Sequence, residues 1–520
     1  MPKTTRAWCP EPEPTILCTA LKPRIMAHPR RGVVVLQPDL SPEEFTQLGH
    51  RVIGLMADYF ADLPNAPAFP ASTPTEVAAL FAGPPPEQPE GTDALLADWQ
   101  QRILPHSSRQ GSARWFGFVN GSGSQIGALA DALASTLNPN VGGWRASPAA
   151  TEVERQTVRW LAELLGYPTD CGGVFVSGGT MANVTALRTA LRAKATWDID
   201  TEGLQGHGSR MTIYMADHET HVSLVRAVDL LGLGRASLRA VPSRADFTID
   251  TDALERMIAT DRAAGMTPVA IVGHVGSINV GAIDDLDALA DIAARTDCWL
   301  HLDGACGALG AMLPELTAHF RGMQRADSVS FDAHKWLGVP YEAGCVLVRH
   351  AETLHQAFKM QATYLLPAEV NEYSGLNYFD YSPQLSRGWR AFKVWLTLRY
   401  YGAEGMRTFF RQTIACAKHL HHRIEADADF EVVQPEPTLY IYAFRWAPSS
   451  LRGNDARLDQ LNQQISDELQ RRRIAFAMTT RIRGRVTQRL SICSHRTTVA
   501  DIDATLDAMR TIGQELLLQS

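Results

Sequence analysis

The sequence predicts an α/β protein with a mainly parallel sheet in a large domain, followed by a smaller α+β domain. Three observations predict it. Short apolar runs alternate with amphipathic helical stretches between about 173 and 349. Glycine-bearing turns follow several of these runs at their carboxyl ends. After about 395 the order changes to a long helical segment, then strand, helix and strand.

In chain order, residues 1–40 carry prolines and a few basic residues, with no periodic pattern and no apolar signal region. A disordered extension is expected there, with Met26 as a second candidate start. An N-terminal helical segment spans 41–112. Its first helix opens at Ser41-Pro42-Glu43-Glu44, where serine can cap and proline can take the first helical position. Phe45, Leu48, Val52, Ile53, Met56 and Phe60 follow at helical spacing, and proline-rich breaks come at 64–73 and 83–89.

The large domain is placed at 113–395. Its strands are expected at 173–177, 212–216, 268–275, 298–303, 327–331 and 343–349, with helices at 180–195, 221–232, 251–264 and 285–296 between several of them. Strands alternating with helices imply a sheet covered on both faces. The small domain, 396–520, has strands near 438–445 and 487–493 around a helix at 455–472.

Bulk properties exclude several functions. The chain has 520 residues, 45% hydrophobic and 20% charged, enough for two or three domains and a large core. A net charge of −7 argues against nucleic-acid binding. The arginines at 471–473 and at 481, 483, 485 and 489 read as a solvated helix face and a turn. No apolar run of about 18 residues exists, so no membrane span is expected. Eight cysteines without a CxxC pair read as reduced thiols of a cytoplasmic protein.

The chemistry concentrates at the carboxyl ends of the expected strands. Lys335 follows the run Ser328-Val329-Ser330-Phe331 and lies between His334 and Trp336. A buried lysine is paired, snorkelling or chemically used, and a desolvated one loses its proton readily to become a nucleophile for carbonyls. The natural carbonyl partner is the aldehyde of pyridoxal phosphate, held as a Schiff base. Ser177-Gly178-Gly179-Thr180 follows a strand and opens a helix, a credible phosphate seat that lacks the Gly-Lys-Ser/Thr of a Walker motif. Asp303 ends the run Trp299-Leu300-His301-Leu302, where it can keep a proton on a pyridine nitrogen. Ala305 is small enough to lie against a flat ring.

His221 opens a helix after the strand at 212–216, and its imidazole can stack on such a ring. The glycine-bearing loop 276–284, with Ser277, closes the set. No metal site is expected: His218 and His221 do not form HExxH, and His419, His421 and His422 read as a solvated helix face.

Together these residues resemble the group II pyridoxal-phosphate amino-acid decarboxylases, relatives of the aromatic-L-amino-acid and glutamate decarboxylases. The resemblance covers roughly 41–515. It is carried by Ser147-Pro148-Ala149-Ala150-Thr151-Glu152, Ser177-Gly178-Gly179-Thr180, His221, Asp303-Gly304-Ala305 and Asp332-Ala333-His334-Lys335-Trp336. It implies the fold type I (aspartate-aminotransferase-like) architecture and a homodimer with exchanged N-terminal helices. It also implies cofactor contacts from Asp332 and His334, and a pocket lined by Trp115, Phe116 and Phe118. Arg489 aligns with an arginine found across the family, either at the substrate or bracing the small domain.

The chain departs from the aromatic decarboxylases at four places. It has Gly178-Gly179-Thr180 for their Ser-Ala-Ser, Asp332 for an asparagine, Gly142 for a phenylalanine and Gly121 for a threonine.

In the resembling family a tyrosine on a loop after the lysine returns the proton to Cα, and Tyr364 aligns with it. Aldehyde synthases have phenylalanine there. The resemblance therefore implies decarboxylation of an L-amino acid, aromatic or bulky and apolar, with oxidative deamination to aldehyde as the alternative. Glutamate or aspartate would need a cationic partner that the sequence does not identify. A non-catalytic family member would need a broken position, yet Lys335, Asp303, His221 and Tyr364 are intact.

Overall fold

The computed structural model describes residues 24–27, 34–37, 39–217, 221–360, 372 and 374–519. The chain divides into two compact units. One holds the described residues up to Asp62 together with Pro70–Ser108, the other Leu63–Phe69 and everything from Arg109 onward.

In the first unit, β1 (Arg24–Ala27) pairs antiparallel with β2 (Val34–Gln37). The two valines of β2 have the β-branched character of a strand. Helix Pro42–Asp62 starts as expected, with Ser41 and Glu44 exchanging backbone-to-side-chain hydrogen bonds of 2.9 and 3.2 Å. Helix Pro74–Leu80 opens on a second capping box, from Thr73 and Glu76.

The second unit is built on a seven-stranded sheet. Its strands are β3 (Gly172–Val176), β4 (Met211–Ala216), β5 (Leu238–Val241), β6 (Thr267–His274), β7 (Trp299–Asp303), β8 (Ser328–Asp332) and β9 (Gly344–Val348). The spatial order is β3-β9-β8-β7-β6-β4-β5, with only β9 antiparallel to its neighbours. Six strands and four covering helices lie within a few residues of their expected positions. β3, β7, β8 and β9 are buried along their whole length, as strands of a sheet covered on both faces are. Apolar clusters cover both faces, one around Leu300, Phe331 and Trp336, the other around Val174, Leu187 and Val272.

After the long helical segment Arg390–Glu425, a four-stranded antiparallel sheet forms the C-terminal part. It consists of β10 (Phe430–Val432), β11 (Ile441–Trp446), β12 (Met478–Ile482) and β13 (Arg485–Ser491), in the order β10-β11-β13-β12. Helices Asp455–Arg471 and Val499–Leu518 share its core. His421 corrects an expectation: on the inner face of the long helical segment it is buried and lies 2.8 Å from the Tyr442 hydroxyl, while His422 faces solvent.

A buried ion pair braces the seat end of the large sheet. Arg387 reaches Glu154 at 2.5 Å, both side chains fully inaccessible, and also donates to the Val141 and Phe175 carbonyls at 2.8 and 2.7 Å. Removing one partner leaves an uncompensated buried charge. Arg387→Met is therefore expected to cost about 3–5 kcal/mol in urea denaturation, and adding Glu154→Leu to recover much of that loss.

Candidate active site

The carboxyl ends of β3, β6, β7 and β8 open on a cavity of about 970 Å³. Open α/β sheets bind ligands at this edge. Ser177, Gly178, Gly179, Thr180, His221, Ser277, Asp303, Ala305, Asp332, His334, Lys335 and Arg489 all line it. Loops distant in sequence thus bring the expected set to one place.

Ser177 and Gly178 follow β3, and helix Gly179–Lys194 begins at once, so its first N–H groups face the cavity rim. Space is tight there. A Cβ on Gly178 would come within 3.2 Å of His334, and one on Gly179 within 3.0 Å of the Asp332 carboxylate. The same is true of two family departures. A Cβ on Gly121 would lie 2.2 Å from the His334 carbonyl oxygen, and one on Gly142 2.2 Å from that of Leu385. Neither position takes a side chain unless the backbone moves.

Asp303 is buried and firmly held. Asn183 donates to it at 2.9 Å, the Ala305 N–H at 3.2 Å and the Ser330 hydroxyl at 3.4 Å. Burial works to raise its pKa, but His301, His274, Asn183 and Lys335 outweigh this and hold it below the ordinary carboxylate value. A buried carboxylate held as an anion in this way can keep a proton on a ring nitrogen.

Lys335 is paired rather than stripped of its proton, which corrects the expectation from desolvation alone. Its Nζ lies 3.1 Å from Asp332 Oδ2 and 3.9 Å from Cys306 Sγ. Burial opposes the ammonium; Cys306, Asp332 and Asp303 favour it and prevail, so its pKa is raised. Asp332 Oδ1 is buried with no hydrogen-bond partner among the described residues.

His221 caps helix Val222–Leu230, its Nδ1 accepting the Ser223 N–H at 3.2 Å. Burial, then the charge of Lys335, lowers its pKa and favours the neutral ring suited to stacking. His334 packs against Tyr341 with ring centroids 4.4 Å apart and planes tilted by 35°. Its Nδ1 accepts the Ala343 N–H at 3.1 Å. Ser277 accepts the Ala282 N–H at 3.1 Å, closing its loop. Arg489 is buried, unlike the rest of its expected solvated cluster, and donates to the Ile278 carbonyl at 3.1 Å.

Of the three aromatic residues expected in the pocket, only Phe118 lines it. Phe118 has a left-handed backbone (φ 55°) and is half exposed. Trp115 stacks on Phe476 at 4.1 Å, and Phe116 is fully buried with its N–H on the Phe476 carbonyl. Phe116 enters the small-sheet core instead, and Trp115 a separate apolar cluster with Ala68 and Phe476. Tyr364 lies outside the described residues.

Sequence reasoning missed the network beneath Asp303. His301 lies 3.0 Å from the Asn183 carbonyl oxygen and 2.9 Å from the Ser328 hydroxyl, and Ser330 also reaches Asn183 at 3.0 Å. The signal was available: His301 precedes Asp303 by two residues on a strand and so shares its face, and Asn183 is one helical turn past the seat. Burial pushes His301 down to about 4, against the pull of Asp303. A depressed pKa contributes stability that is complete above the unfolded value of 6.5 and is lost as pH falls toward 4. His301→Gln is expected to flatten the decline of the melting temperature across that window.

The residues suit pyridoxal phosphate: a glycine seat with free N–H groups, a buried ionised carboxylate, a flat neutral imidazole and a lysine share one cavity. Among the described residues no group of His, Cys, Asp and Glu suits a metal ion. The pyridoxal-dependent decarboxylase conserved domain matches residues 74–447. The chain is 31% identical to the aromatic-L-amino-acid decarboxylase of Bacillus atrophaeus over 92% of its length and 97% of that protein. It is 30% identical to the phenylacetaldehyde synthase of Petunia hybrida, over 76% of this chain and 79% of that one. The crystal structure of Catharanthus roseus tryptophan decarboxylase in complex with L-tryptophan superposes with a TM-score of 0.84 at 26% identity, covering 92% of this chain and 100% of that one. With this fold, this cavity and these matches, the chain belongs to the pyridoxal-dependent decarboxylase family and is a pyridoxal-phosphate-dependent enzyme.

Proposed function

We propose that the protein decarboxylates an aromatic L-amino acid to its amine. The observation that carries this is the meeting of Lys335, Asp303, His221 and the glycine seat in a cavity whose mouth carries Phe118 and Tyr341. Such a mouth suits a flat apolar side chain. The names of the relatives point the same way, since two of the three are aromatic amino-acid decarboxylases.

Gly178, Gly179 and Thr180 would hold the phosphate, Lys335 the aldehyde carbon, Asp303 the ring nitrogen, and His221 and Ala305 the two ring faces. Bound pyridoxal phosphate supplies a protonated ring that accepts the electron pair left when the bond from Cα to the carboxylate breaks. Asp303 keeps the nitrogen proton in place throughout. Asp332, 3.1 Å from the Lys335 ammonium, would take its proton and leave the amine free to hold the aldehyde carbon. Arg489 offers its guanidinium to the substrate carboxylate, and the apolar wall excludes water. The Tyr364 hydroxyl then delivers its proton to Cα; its alignment in the sequence supports this role.

A second reading, oxidative deamination to an aldehyde, is favoured by the Petunia relative, and Tyr364 argues against it. The test is carbon dioxide release over the twenty protein amino acids. Tryptophan, tyrosine and phenylalanine are expected to lead; glutamate or aspartate leading would overturn the proposal. Tyr364→Phe is expected to lower amine output sharply and divert product to aldehyde and peroxide in air.

We also place the protein in the cytoplasm as a homodimer, with 41–112 as the dimerisation segment, 113–395 as the cofactor domain and 396–520 as the small domain. Helix Pro42–Asp62 buries none of its residues, although Phe45, Val52 and Ile53 are apolar. Leu129, Leu133 and Leu137 form an exposed stripe on helix Gln125–Leu137. The six described cysteines are free, which suits a reducing compartment, and no described helix is long and apolar enough to cross a membrane.

A further inference from the structure

His274 ends β6, directly across from Asp303 on β7, so both side chains stand on the same face of the sheet. It lines the cavity yet is only 4% exposed. Its backbone N–H donates to Asp284 Oδ2 at 2.7 Å, and its Nδ1 lies 3.6 Å from the same oxygen. Asp284 is fixed in turn by the Ile249 N–H at 2.8 Å. The other ring nitrogen, Nε2, is buried and has no hydrogen-bond partner among the described residues. A buried polar atom left unpaired in a ligand cavity calls for a ligand atom.

The order of the strands says which one. The phosphate seat follows β3, Lys335 follows β8, Asp303 ends β7 and His274 ends β6, and the sheet runs β3-β9-β8-β7-β6. In pyridoxal phosphate the ring nitrogen lies opposite the aldehyde carbon. The phosphate arm is on one flank, and the methyl and hydroxyl groups are on the other. With the arm toward β3, the aldehyde at Lys335 and the nitrogen at Asp303, the remaining flank faces β6. Its one polar atom is the hydroxyl oxygen.

Resting on the assignment of this cavity to pyridoxal phosphate, we propose that His274 Nε2 donates a hydrogen bond to the ring hydroxyl oxygen of the bound cofactor. Asp284, behind the imidazole, aims it. The hydroxyl oxygen is thereby held as an anion, which fixes the tilt of the ring independently of the seat and of Asp303.

The test compares binding of pyridoxal phosphate and 3-deoxypyridoxal phosphate, which lacks only that hydroxyl. Cofactor-depleted wild type, His274→Leu and His274→Asn are titrated by absorbance and fluorescence, with circular dichroism as the check on folding. Wild type is expected to prefer pyridoxal phosphate by roughly tenfold or more, the worth of a hydrogen bond to a charged group. His274→Leu is expected to bind both compounds about equally, and His274→Asn, which keeps a donor, to restore part of the preference. Wild type binding both equally would overturn the proposal, whether or not the variants fold. A full preference kept in His274→Leu would overturn it as well, while leaving the cofactor assignment intact. Failure of wild type to bind either compound would overturn both.

Discussion

Lys335→Ala is expected to abolish turnover and to leave pyridoxal phosphate removable by simple dialysis. Lys335 is the lysine that lines the cavity, and its Nζ is held 3.1 Å from Asp332. Without it the aldehyde has no tether, and the amine exchange that opens and closes each turnover has no partner. Asp332 would be left as a buried carboxylate without its cation, so some loss of stability should accompany the loss of function. Borohydride reduction of the wild type should fix the cofactor on the peptide containing residue 335. A label on any other peptide would remove Lys335 from the mechanism.

Asp303→Asn is expected to lower kcat by about a thousandfold, close to 4 kcal/mol of transition-state stabilisation, with little change in KM. An amide cannot hold a proton on the ring nitrogen by charge, and the electron sink matters only once the bond at Cα has begun to break. The hydrogen bonds from Asn183, Ser330 and the Ala305 N–H would partly survive the change, so the effect reports charge rather than collapse. A near-normal kcat would withdraw the role from Asp303.

Much of this site was legible before any coordinates because its chemistry sits on strand ends and turns, where residue type and position are tightly coupled. Gly178 and Gly179 read as a seat, and the carbonless space they leave is filled by His334 and Asp332. Asp303 and Lys335 read as chemistry because apolar strands delivered them to one sheet edge.

The rest depended on which way side chains turn. Trp115 and Phe116 look like pocket residues, but Phe116 packs into the small-sheet core and Trp115 into a separate cluster with Ala68 and Phe476. β5, with the sequence Leu-Arg-Ala-Val, is too short and too exposed at the sheet edge to announce itself. β12 has three half-exposed residues followed by an arginine, and it is held mainly by pairing with β13. The protonated state of Lys335 could not be read from burial alone, because it depends on Asp332 turning back across one turn. Asn183, His301 and His274 carry no motif; they matter because the fold sets them against Asp303.

The most direct test of the central claim is product stoichiometry in a sealed vessel. Enzyme loaded with pyridoxal phosphate is given L-tryptophan, L-tyrosine or L-phenylalanine in air, and carbon dioxide, amine, aldehyde and hydrogen peroxide are measured together. One amine per carbon dioxide, with no dependence on oxygen, is the predicted result. Carbon dioxide matched by aldehyde and peroxide, or no carbon dioxide from any of the three, would contradict it.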